Sequence, residues 1–358
     1  MQGDKEMKLE EAIVGILPLC EKSMLESKEQ WDAIVKPLNS LGEFEKIITR
    51  IAGMQKNRNV SLKKRCLVVM CGDNGVVEEG VSQVDSSVTS IVAKNLTNGT
   101  TTVCTMAKYI NVDVIPVDIG IKEELNITGL LNKKIMNGTK NMSKEPSMTR
   151  KETILAIEVG INLALDLKKQ GYEIIATGEM GIGNTTSSSA LASVLLNKKV
   201  EEVTGIGAGL NGAGLNRKIN AIKKAIEINE PDSKDVIDVL SKVGGLDIAG
   251  LVGIFLGGAK AGLPILLDGF ISGVAALIAY RISPMTKEYM IASHKSNEPA
   301  GKYVLDELGL KPTVVAGMCL GEGTGAMVAL GGIDMNLEVY KKSIGFLESG
   351  IEEYVKLN

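Results

Sequence analysis

Short runs rich in Val and Ile alternate along the chain with longer stretches of helical periodicity. The apolar runs are Cys66–Cys71 (CLVVMC), Val112–Ile119 (VDVIPVDI), Glu173–Thr177 (EIIAT), Leu263–Asp268 (LPILLD) and Tyr289–Ser293 (YMIAS). β-Branched runs of this length, closed by Gly or polar residues, predict buried strands. Helical patterning covers Ser86–Lys108, Thr149–Gln170, Thr185–Leu196, Leu215–Ile228 and Ile248–Ala261, and residues 8–52 read as helical with a break around Pro37–Gly42. Strands alternating with helices predict an α/β fold built on a parallel sheet covered on both faces. Ligands of such sheets lie beyond the carboxyl ends of the strands, so chemistry is expected just after each apolar run.

Residues 246–282 are apolar enough to raise the question of a membrane span. Asp247, Lys260, Asp268 and Arg281 interrupt them, leaving uncharged runs of about 12 residues against the roughly 20 that a spanning helix needs. A net charge of −3 among 358 residues gives no basic footprint for nucleic acid or an anionic membrane, and aromatics at 3% offer no stacking platform for bases. The cysteines (Cys20, Cys66, Cys71, Cys104, Cys319) are odd in number and form no CxxC, which speaks for reduced thiols rather than a disulfide framework or a zinc site. The opening MQGDKE lacks the basic-then-apolar pattern of a secretory leader, so a cytoplasmic protein is expected.

A single histidine, His294, excludes multi-histidine metal sites; it follows a predicted strand end and is either a structural residue or a site residue. Carboxylates therefore lead as acid–base candidates. Glu322 is the only charged residue between Lys311 and Asp334, and Glu179 the only one between Glu173 and Lys198. An isolated carboxylate in a Gly-flanked apolar stretch is a base with a raised pKa, or else a helix cap or the partner of a distant lysine. The segment after Glu179 closes a strand and opens a helix. Gly181 and Gly183 permit close backbone approach there, and Asn184, Thr185 and Thr186 supply donors where the helix dipole favours phosphate. A formal GxGxxG occurs at Gly207–Gly212, but Val200–Thr204 makes a poor strand before it and no acidic partner follows, so a dinucleotide reading is weak. Lys218, just beyond this loop, is a phosphate ligand or part of a solvated helix face. Asp247 fits a helix N-cap after Gly244–Gly245, and Asp268–Gly269 fits the edge of a site.

Taken together, the segments resemble the nicotinate-nucleotide:dimethylbenzimidazole phosphoribosyltransferase family (CobT type). The resemblance runs from WDAIVKPLNSLG (31–42) through GDNG (72–75) and EGVS (79–82). Its most specific pieces are GEMGIGNTT (178–186), GLDIAG (245–250), SHKSNEP (293–299) and LGEGTG (320–325). It implies a Rossmann-like sheet as a catalytic domain of residues 62–296, with a small helical domain from residues 1–61 and 297–358. It implies a homodimer with no metal or redox cofactor. It implies Glu322 as general base, Glu179 as the second active-site glutamate and Lys218 near the substrate phosphate. Gly207, Ser293, Gly321 and Gly323 join Gly181, Gly183, Asn184, Thr185 and Thr186 around the phosphoribosyl group, while Ser82, Met180 and Leu320 line the base pocket. The substrates implied are nicotinate mononucleotide and 5,6-dimethylbenzimidazole. Two positions depart from the family pattern: Asn74 stands for the usual histidine, and QVDSS (83–87) replaces an aromatic–proline pattern. The acceptor thus remains open among dimethylbenzimidazole, another benzimidazole, adenine and a phenol. A nucleotide sensor without catalysis and a nicotinamide-dependent oxidoreductase are the rival functions.

Overall fold

In a computed structural model of the protein, residues 6–207 and 209–353 are described. The Val- and Ile-rich runs become strands β1 (Arg65–Gly72), β2 (Asp113–Gly120), β4 (Ile174–Met180), β5 (Ile265–Leu267) and β6 (Met290–Ala292). β1 is buried from Cys66 onward and β4 along its whole length, as expected of strands covered on both faces. A short β3 (Leu131–Asn132), exposed and without an apolar pattern, joins the sheet where the sequence predicts no strand. All pairs are parallel, in the order β3-β2-β1-β4-β5-β6. The order reverses between β1 and β4, and this is the crevice where ligands of such sheets bind.

The expected single helix Ser86–Lys108 is two helices, Ser87–Thr97 and Thr102–Tyr109. The break falls at Asn98–Thr101, where the Thr101 side chain accepts from the Cys104 amide at 3.3 Å and caps a new start. The apolar stretch 246–282 is core rather than membrane. Leu246–Lys260 and Phe270–Ile282 are helices of 15 and 13 residues, and Leu246–Ala259 is buried throughout. A Cβ on Gly253 would lie 1.9 Å from the Ile157 carbonyl oxygen, so this helix rests directly on the backbone of helix Arg150–Lys169. No helix among the described residues is long and apolar enough to cross a membrane.

Helices Glu21–Ala33 and Glu43–Gln55 from one chain end meet Thr324–Lys342 from the other. Trp31 and Tyr340 pack with ring centroids 4.9 Å apart, and the Tyr340 hydroxyl donates to the Arg58 carbonyl at 2.9 Å. These contacts anchor helix Thr324–Lys342, and the segment just before its start carries Glu322.

Candidate active site

The register places the strand ends in a row. Met70 of β1 pairs with Glu179 of β4, Ile175 of β4 with Ile265 of β5, and Leu267 of β5 with Ala292 of β6. The segments leaving β4, β5 and β6 therefore open on one side and line one cavity. Its wall includes Glu179, Met180, Gly181, Gly183, Asn184, Thr185, Thr186, Gly207, Lys218, Leu320, Gly321, Glu322 and Ser82. Asp268 and His294, left open by the sequence, line it as well.

Glu322 sits on a strained loop. Gly321, Glu322 and Gly323 have φ of +87°, +59° and +96°, three consecutive residues in the left-handed region. Glycine adopts that conformation freely; glutamate does so at a cost of about 1–2 kcal/mol. Asp268 holds the loop: its carboxylate accepts from the amides of Gly323 (3.0 Å), Gly325 (2.8 Å) and Ala326 (3.3 Å), capping a helix far away in sequence. From below, β4 supports it so closely that a Cβ on Gly178 would lie 2.6 Å from the Glu322 carbonyl oxygen. Glu322 Oε2 is buried with no hydrogen-bond partner. Burial, then the charge of Asp268, raises the pKa of its carboxyl above the usual range.

Glu179 is the opposite case. It is buried, and its Oε2 accepts from Asn184 Nδ2, which also donates to Asp247 Oδ2 at 2.8 Å. Burial first, then the nearby Asp247, pushes Glu179 up to about 8. The N-cap of helix Leu246–Lys260 is Gly245, so Asp247 is not the cap expected; it lies inside the first turn and points at Asn184.

Lys218, on helix Gly212–Asn229, is 1% exposed rather than part of a solvated face. Its Nζ donates to the Gly205 carbonyl at 3.1 Å, and no ion pair holds it among the described residues. A Cβ on Gly207 would lie 3.3 Å from that Nζ, so the glycine leaves the ammonium open to the cavity. Burial lowers Lys218 to about 8, opposed by Glu298. The segment before Gly207–Gly212 is a helical turn, Val200–Val203, which removes the strand a dinucleotide fingerprint requires. Ala208 within that Gly-rich loop lies outside the described residues.

Two expected ligands stand behind the wall instead of in it. Ser293 is fully buried and its hydroxyl donates to the Asp268 carbonyl at 2.7 Å, while Gly323 is engaged through its amide with Asp268. His294 is packed so tightly on the loop that a Cβ on Gly325 would meet Nδ1 at 1.8 Å, and burial lowers its pKa. Asn74 is 1% exposed and accepts from the Ser187 hydroxyl at 2.9 Å, beneath the cavity floor. Gln83 lines the cavity and donates to the Gly209 carbonyl, tying together two loops at its rim.

Residues 16–351 match the family model DBI_PRT, described as Phosphoribosyltransferase. The nicotinate-nucleotide–dimethylbenzimidazole phosphoribosyltransferase of Acetivibrio thermocellus is 46% identical over 323 residues, covering 90% of this chain and 92% of that one. The enzyme of the same name from Ruminiclostridium cellulolyticum is 45% identical over 351 residues, covering 98% and 100%. A crystal structure of the Thermus thermophilus enzyme of that name superposes with a TM-score of 0.87 at 33% identity, covering 94% of this chain and 100% of that one. With an α/β sheet of this topology, the cavity at its switch point and a match along nearly its whole length, the chain belongs to this phosphoribosyltransferase family.

Proposed function

We propose that the protein transfers the 5-phosphoribosyl group of nicotinate mononucleotide to 5,6-dimethylbenzimidazole or a related base. The products are the α-ribazole 5′-phosphate and nicotinate, a step in assembling the cobalamin lower ligand. The observation that carries this reading is Glu322: a carboxylate on the cavity wall, with a buried unpartnered oxygen, on a backbone strained to present it. Buried carboxylate oxygens are usually hydrogen-bonded, so one left free on a cavity wall is available to a ligand.

The bond that breaks joins C1′ to the pyridinium nitrogen of nicotinate. Its electron pair returns to the ring, which leaves with only its carboxylate charged. C1′ gains oxocarbenium character, which a facing carboxylate stabilises. A ring nitrogen of the acceptor attacks from the opposite face, giving the α-anomer, and the acceptor's N–H proton passes to Glu322. Lys218 and the amides opening helix Asn184–Leu196 hold the 5′-phosphate, away from the reacting bond, so that binding energy is spent on orientation. Met180, Leu320 and Ser82 flank the acceptor.

The wall formed by Val81, Ser82 and Gln83 carries no aromatic ring, which favours an acceptor other than dimethylbenzimidazole as the second reading. Purified protein mixed with nicotinate mononucleotide and a panel of dimethylbenzimidazole, adenine and phenol tests both. Nicotinate release with an α-ribotide of any one base establishes the reaction and identifies the acceptor. A folded protein that makes no ribotide from any of them refutes it. The same reading includes a homodimer in the cytoplasm, working without metal or redox cofactor, with the two chain ends forming a small helical domain. Light scattering on the eluting protein tests the dimer.

A further inference from the structure

Behind Glu179 lies a contact that the transfer step does not use. One nitrogen, Asn184 Nδ2, donates to Glu179 Oε2 and to Asp247 Oδ2, which commits both of its hydrogens. The reverse orientation would set an amide oxygen against two carboxylates, so the pattern fixes which way the amide points. Asp247 is fully buried and its Oδ1 has no hydrogen-bond partner. Backbone closes on it from both sides: a Cβ on Gly181 would lie 2.7 Å from Oδ2, and one on Gly245 2.6 Å from Oδ1. The carboxylate has no room to turn away from Asn184.

The charged groups that act on the pair are themselves acids. Asp268, leaving β5, and Glu322, on its loop, act on Glu179; Asp73, leaving β1, acts on Asp247. The buried thiol of Cys71 feels both carboxylates, and burial lowers the pKa of nearby His294. Two buried carboxylates bridged by one neutral amide resist ionising together. The other oxygen of Glu179, Oε1, lies beside Gly321 on the cavity side, where a Cβ on that glycine would meet it at 2.7 Å.

We infer that Asp247 is a positioning residue: its charge, set close behind Glu179, keeps that carboxyl in its acid form against the pull of the Asn184 hydrogen bond, and the Asn184 bridge turns Oε1 to the cavity as a hydrogen-bond donor to the bound ribose. The assignment to ribose rests on the transfer reading given above. Burial raises both carboxyls, and the charge of Asp247 raises Glu179 further, in keeping with a proton retained on Glu179. The two glutamates then divide the work. Glu322 faces the acceptor ionised and takes a proton, while Glu179 faces the sugar protonated and lends one without losing it.

Infrared difference spectra of the substrate-free protein at pH 7 test the shared proton directly. Wild type should show a protonated-carboxyl C=O band that is missing from Glu179→Gln and clearly weakened in Asp247→Asn, where loss of the neighbouring charge lets the still-buried Glu179 ionise in part. No such band in wild type, or a band that survives Glu179→Gln, overturns the proposal. This arm uses no substrate, so it stands apart from the base panel, and the comparison with Glu179→Gln decides it even where Asp247→Asn does not fold. The second arm is the pH dependence of kcat at saturating nicotinate mononucleotide. Asp247→Asn removes a negative charge, so Glu179 ionises at lower pH and the alkaline limb should move down by about one pH unit, with KM unchanged. An Asp247→Asn enzyme that retains the wild-type alkaline limb also overturns it.

Discussion

Glu179 and Glu322 line the same cavity and come from the same kind of sequence, a lone acid among glycines, and burial raises the pKa of both, yet they are held in different ways. Glu179 ends a regular strand, is bonded to Asn184 and has a second carboxylate behind it. Glu322 stands on a left-handed backbone, partly exposed, with a carboxylate oxygen that nothing satisfies. The protein stabilises the first by a network and the second only by its backbone, through Asp268 and Gly178. A side chain left free on a rigidly held backbone suits a group that exchanges a proton with a substrate. A side chain locked in a network suits one that orients a substrate.

The largest effect should come from breaking Glu322. Glu322→Gln keeps the shape and removes the proposed base, and kcat measured by nicotinate release should fall about 10²- to 10⁴-fold with the fold intact. Near-normal turnover would remove Glu322 from the role of base. The raised pKa of Glu322 also sets the acid limb: activity should fall as pH drops through a value above the ordinary 4.5 of a glutamate, because protonation removes the acceptor of the proton.

Lys218 serves as a third point of reference, since the proposed reaction sets it on the phosphate and not on the reacting bond. Lys218→Met should raise the KM for nicotinate mononucleotide about 10- to 100-fold, the worth of a charged hydrogen bond, and change kcat little. Burial holds the ammonium near 8, so wild-type KM should climb as pH rises through that value and the charge is lost. A KM flat from pH 7 to 9 would separate Lys218 from the phosphate.

Gly178→Ala probes the backbone that holds Glu322 without touching its carboxylate. The added methyl meets the Glu322 carbonyl at 2.6 Å, so the loop must move. Overpacking of this kind costs about 1–3 kcal/mol, and a displaced base should lower kcat by roughly tenfold. A variant with unchanged Tm and unchanged kcat would show that the loop is not held as tightly as its contacts indicate.

The strands were legible because β-branched runs are a local signal, and five of six appear where the pattern places them. β3 escaped because two exposed residues carry no pattern, and helix Phe270–Ile282 because an apolar run next to another apolar run has no visible edge. In the site, isolation of charge picked out Glu179 and Glu322. The same signal was present at Asp247, a lone acid in an apolar helix, but it read equally well as a cap; only the fold brings Asn184, 63 positions earlier, against it. Asp268 shows the same limit. Its partners are amides 55 to 58 residues away, and backbone groups leave no mark in a sequence. Glycines carry a second reason of the same kind: Gly181 lines the cavity, and a Cβ there would also lie 2.3 Å from the Gly72 carbonyl, so the protein's own packing requires it as well.

The smallest effect concerns the strain itself. Glu322→Gly and Glu322→Ala should both be inactive, since neither carries a carboxylate, but they should differ in stability. At φ +59° alanine retains the steric conflict of its Cβ with backbone, whereas glycine relieves it. Glycine also adds entropy to the unfolded chain, which offsets part of the gain. The net expectation is a glycine variant more stable than the alanine variant by about 1 kcal/mol, read as a higher midpoint in urea. Equal midpoints would mean that the loop relaxes once the glutamate is gone. The left-handed conformation would then belong to the side chain and not to the amide cradle of Asp268, and the contrast between a free carboxylate and a held backbone would fail at its second half. A glycine variant that is more stable and inactive would show that glutamate at this position is retained against the preference of the fold, for the proton it accepts.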